Sequence, residues 1–195
     1  MPIARAVPAV VLAAVITFTA EHSASLGLVT FGLFGLASGA VIVVAALRSP
    51  GAAVQRALLL VQGGLAIVAG AASLAVPGAG LPFLVFLLTA FAVVTGFIEL
   101  YLGLRGRRND RFGRDRIFLG GLTVLLAVVV LLVPPGFVQS FTGPDGVARA
   151  LTAAIIVVGL LGAYWAIAGV YLAIAGLSLK WGTDPSSVSV AKVGV

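Results

Sequence analysis

Charged residues are so thinly spread along this chain that the stretches between them outline its elements. They leave six apolar runs, at about 6–20, 26–47, 57–76, 81–104, 117–133 and 150–179. The second, third and fourth hold 22, 20 and 24 residues. At roughly 1.5 Å per residue that is enough to cross about 30 Å of hydrocarbon. None shows the strict alternation of a lipid-facing barrel strand, and a helix satisfies its own backbone groups in lipid where an open strand cannot. The pattern predicts an all-α integral membrane protein, with six transmembrane helices arranged as three repeated helical hairpins at about 6–47, 57–104 and 117–179. These form one domain, 1–181, followed by a flexible cytoplasmic tail, "GTDPSSVSVAKVGV", at 182–195. The first run is short and preceded by Arg5, as in a signal peptide. The repeat nevertheless needs it as the partner of the second run.

That repeat is visible directly. Residues 63–77 read "GGLAIVAGAASLAVP" and residues 120–134 read "GGLTVLLAVVVLLVP", identical at six of fifteen positions and 57 residues apart. The same offset carries Gly32, Gly39 and Ala46 of the second run onto Thr89, Gly96 and Gly103 of the fourth. A further 73 residues leads to Gly162, Gly169 and Gly176 of the sixth. A small residue every seven positions marks one face of each even-numbered helix. Such faces let backbones approach closely, which matters in lipid because no hydrophobic force drives helices together there. The glycine pairs Gly63–Gly64 and Gly120–Gly121 are expected to serve the odd helices in the same way, and the prolines to end them. Helix packing is therefore assigned to Gly39, Gly63, Gly64, Gly96, Gly103, Gly120, Gly121, Gly162, Gly169 and Gly176. The last run is longer than a span needs. Its surplus is expected on the outer side, forming an interfacial cap with the loop at 134–149 and its Phe137 and Phe141.

Charge sets orientation. Of twelve basic residues among 195, eleven fall on one side of a six-span chain and only Arg149 on the other. Arginine-rich short loops stay inside, which predicts cytoplasmic N and C termini in a bacterial plasma membrane. The loop "RGRRNDRFGRDR" supplies Arg105, Arg107, Arg108, Arg111, Arg114 and Arg116 as candidate contacts for anionic lipid. With no aromatic platform beside it, the net charge of +6 speaks for topology, not for nucleic acid. The chain has no cysteine and a single histidine, His22. It therefore offers no thiolate or multi-histidine metal site, and no phosphate loop or nucleophile–base pair is present. No cofactor and no enzymatic activity are expected.

The units Gly64–Pro77 and Gly121–Pro134, with Gly96 and Gly169 in the helices that follow, resemble the HdeD-like family of small bacterial membrane proteins. The resemblance covers about residues 6–180, although the first helix lacks the glycine-to-proline unit. It implies a six-span plasma-membrane protein of stress response and acid resistance, and supplies no catalytic residues. A small transporter or channel, or an accessory subunit of a membrane complex, is the alternative. A membrane-protein partner or a homo-oligomer fits either.

Within the spans, Glu99 is the one carboxylate, and an intramembrane carboxylate is a candidate site by default. Its bland role is to snorkel or pair with an arginine, Arg105 being one to two turns away. Its repeat equivalents are Ile42 and Leu172, so the fold itself needs no carboxylate there. Gln62 lies six residues after Arg56, and Glu99 six before Arg105, which puts both at one depth. Gln62 is expected to donate a hydrogen bond to Glu99, making Glu99 the residue best placed to register cytoplasmic acidification. The pair Glu21–His22 reads as a solvated turn, and Tyr164, Trp165 and Tyr171 as bulk beside glycines.

Overall fold

The computed structural model describes residues 2–48, 52–106, 113–144 and 146–181. Six helices follow in order: α1 (Pro2–Phe18), α2 (Ala24–Arg48), α3 (Ala53–Ala75), α4 (Gly80–Gly106), α5 (Gly113–Leu131) and α6 (Ala153–Trp181). A two-stranded antiparallel hairpin, β1 (Val138–Thr142) and β2 (Ala148–Thr152), precedes α6. Four helices are long and apolar enough to cross a membrane: α2, α3, α4 and residues Ala153–Ser178 of α6. The chain is thus a largely helical, multi-pass membrane protein. The tail at 182–195 and Arg107, Arg108 and Arg111 lie outside the described residues.

Local chemistry sets the ends of these helices. Ser23 Oγ accepts from Leu26 N at 3.2 Å and Thr152 Oγ1 from Ile155 N at 3.4 Å, capping α2 and α6. Gly80 enters α4 with a φ of 82°, a backbone conformation that disfavours a side chain. The strand assignment corrects the expected sixth run. Residues 148–152 are strand and α6 starts at Ala153, so the hairpin takes residues 150–152 of the expected run, while α6 still holds 29 residues. Residues 146–147 close the hairpin through Gly146, whose φ is 74°.

The helices form a closed ring in chain order, α6 returning to α1, while α2, α4 and α6 also touch one another inside it. The three intimate pairs are α2–α3, α4–α5 and α6–α1. The expected hairpin partners, α1–α2, α3–α4 and α5–α6, make much thinner contacts. The structural repeat is therefore an even helix packed on an odd one, and in the third unit α6 is partnered by α1.

Glycine explains this choice. A Cβ on Gly39 would lie 2.8 Å from Gly63 O, and one on Gly96 would lie 3.2 Å from Gly120 O. The same faces meet Ile67 in α3 and Val124 in α5. In α6, Gly169 meets Val10 and Ala9, Gly162 meets Ile16, and Gly176 meets Ile3. Val10, Ile67 and Val124 are spaced 57 residues apart, as are Ile3, Leu60 and Ile117. Three interfaces thus repeat one register. Gly103 closes on Gly113 and Ile117 in the same way. The second glycine of each pair departs from expectation: around Gly64 and Gly121 the space is open. Neighbouring positions on a helix point about 100° apart, so only Gly63 and Gly120 can face the partner. Gly35 and Gly70, which the heptad spacing passed over, also meet closely: a Cβ on Gly35 would lie 2.9 Å from Gly70 Cα.

Candidate functional site

Threonine and serine hydroxyls inside the bundle mostly bond to the carbonyl one turn back: Thr30, Ser38, Thr89, Thr95 and Thr123 all do so. Ser73 instead donates across to Leu28 O at 2.7 Å, tying α3 to α2. No described buried side-chain polar atom is left without a partner, as lipid surroundings demand. Against this quiet background one cluster stands out.

Glu99 Oε1 on α4 accepts from Gln62 Nε2 of α3 at 3.0 Å and from Arg5 Nη2 of α1 at 2.6 Å. Glu99 is 4% exposed and Gln62 3%, while Arg5 is half-buried. A buried carboxylate costs several kcal/mol in desolvation and persists where a cation and further hydrogen bonds compensate. The cation comes from 94 residues away, not from the neighbouring Arg105, whose Nη1 donates to the Tyr101 hydroxyl at 2.9 Å. Sequence reasoning placed Gln62 beside Glu99 but missed Arg5. The signal was present: Arg5, Gln62 and Leu119 are successive positions at the 57-residue offset. Carried back into α1, the repeat puts Arg5 at the level of Gln62.

The cluster joins all three intimate helix pairs, since Arg5 belongs to α6–α1, Gln62 to α2–α3 and Glu99 to α4–α5. Its apolar counterpart at the same level holds Leu119 and Leu172, buried together with Ala6 and Ala168. One layer of a threefold plan is thus polar on one side and greasy on the other.

Residues 61–133 match DUF308, described as a short repeat of unknown function. Over that segment the chain is similar to the DUF308 repeat. That segment starts one residue before Gln62, takes in Glu99 and the whole of α4 and α5, and leaves Arg5 outside it. No curated protein and no solved structure matches the chain.

Deeper in the bundle the even helices meet in aromatic and aliphatic packing. Phe31, Leu88 and Leu161 are repeat equivalents and all fully buried. So are the positions of Phe34, Phe91 and Tyr164 equivalent. Phe31 meets Phe91 edge-on at 5.4 Å, and Phe34 lies 5.0 Å from Trp165. Trp165 stands where the repeat has Gly35 and Ala92, supplying once the bulk that three copies could not fit. The void left among these side chains is about 10 Å³, no more than about one water requires. Tyr164 bonds Thr123 at 2.9 Å, and Tyr171 donates to Asp115 Oδ1 at 2.8 Å. Among the described residues, no three histidine, cysteine or acidic side chains come together.

Proposed function

We propose that this is a non-enzymatic, six-span plasma-membrane protein with both termini in the cytoplasm, of the HdeD-like stress-resistance kind, and that the Arg5–Glu99–Gln62 cluster is its acid-responsive part. The observation that carries this is the convergence of polar side chains from two helix pairs, Arg5 and Gln62, on one carboxylate oxygen of the third. Protonating Glu99 removes the charge that Arg5 pairs with and alters what Gln62 can bond. One proton would then loosen the coupling among all three pairs. Tyr164 of α6 lies within electrostatic range of both Arg5 and Glu99. The cluster sits toward the helix ends that carry Arg48, Arg56 and Arg105, the side expected to face the cytoplasm.

Six spans are supported by the way α1 docks. It has only 17 residues, yet its contacts run from Ile3 at Gly176 to Ile16 at Gly162, along most of a helix long enough to cross. The filled centre weighs against a transport path. Cells carrying Glu99→Gln, which keeps the shape and removes the charge, are expected to survive acid shock less well than wild type. Unchanged survival would sink the acid-responsive role. Orientation has its own test. Cysteine at Ser140, exposed in β1, should react with an impermeant thiol reagent on intact cells, whereas cysteine at Asn109 should be shielded. Labelling at Asn109 would invert the topology.

A further inference from the structure

We propose that the groove between α5 and α6 binds one acyl chain of an anionic phospholipid, whose phosphate is met by Arg114. The groove encloses about 130 Å³ and is lined by Leu122, Leu125 and Val129 of α5 with Leu160, Ala163 and Ile167 of α6. Its wall is apolar, and the one hydroxyl beside it, on Tyr164, is engaged by Thr123. Spacings of three and four residues place Phe118 and then Asp115 on the same α5 face as Leu122. On α6 the same stripe continues from Ile167 to Tyr171.

The rings of Phe118 and Tyr171 stack at 4.3 Å across the end of the groove, making the kind of aromatic shelf found at headgroup depth. Beyond that shelf the Tyr171 hydroxyl occupies Asp115 Oδ1, and Arg114 is exposed in the first turn of α5. Arg114 lies eight residues before Leu122, about 12 Å along the helix, where a phosphate would sit above its chain.

The repeat supplies internal controls. The α3–α4 groove has Val61, Ile98, Leu58 and Ala57 where α5–α6 has Phe118, Tyr171, Asp115 and Arg114. The α1–α2 groove has Ala4 and Val41 at the two aromatic positions. Of the three positions equivalent by the repeat, only α5–α6 carries the aromatic pair.

The test uses the full chain, delipidated in a non-ionic detergent, with phosphatidylglycerol or phosphatidylcholine added and bound lipid counted by native mass spectrometry. One phosphatidylglycerol per protein should be retained, preferred over phosphatidylcholine about fivefold, the equivalent of about 1 kcal/mol for one interfacial cation. Arg114→Gln should abolish the preference while leaving phosphatidylcholine binding as it was. Ala163→Phe, which fills the groove from an exposed position, should reduce both lipids. The equivalent Ala90→Phe, in the α3–α4 groove, should change neither. A preference that survives Arg114→Gln, or equal effects of the two phenylalanines, would overturn the site.

Discussion

Arg5→Leu is expected to destabilise the folded protein by about 3–5 kcal/mol, the usual cost of stranding one partner of a buried ion pair. Glu99 is nearly inaccessible and would keep only Gln62 as a donor. Glu99→Leu should cost less, because half-buried Arg5 can turn its guanidinium toward the headgroups. The double variant Arg5→Leu/Glu99→Leu should recover most of the loss. Its layer would then resemble the apolar side of the same level, where Leu119 and Leu172 already pack. Unfolding midpoints in mixed micelles would measure all three variants. A double variant no more stable than Arg5→Leu would show that apolar packing cannot replace the pair.

The second large effect is expected at the α4–α5 contact. A Cβ on Gly120 would lie 2.8 Å from Leu100 N and 2.9 Å from Gly96 O, both backbone atoms that cannot rotate aside. Gly120→Leu and Gly96→Leu should each force the helices apart, at about 1–3 kcal/mol or somewhat more. Gly121→Leu, one residue along and facing open space, should be nearly neutral. The same unfolding assay separates them, and a Gly121 variant as damaged as Gly120 would refute the assigned helix faces.

The candidate site was half legible in the sequence. Gln62 and Glu99 could be matched by counting from Arg56 and Arg105, because antiparallel helices of fixed rise bring equal counts to equal depth. Arg5 could not be matched that way. It lies outside the glycine-to-proline units, and its partner is 94 residues away. The small residues of its helix face are Ala6, Ala9 and Ala13, where α3 has Gly63, Ala66 and Gly70. Alanine is too common in apolar helices to announce a contact face. The strands were missed for a related reason. Residues 148–152, "ARALT", continue an apolar run, and only pairing with Val138–Thr142 makes them extended.

What the sequence determined by itself is the membrane character, the long apolar helices, the 57-residue repeat and the small-residue faces, because each follows from local composition and helical period. What only the tertiary structure decided is which neighbour each face meets. In sequence α2 and α4 each have an odd helix on either side, and both neighbours are apolar. In lipid, choosing between them rests on how closely two backbones can approach, a property of two surfaces together and of neither alone. That choice closed the ring through α6 and α1, and so carried Arg5 to Glu99.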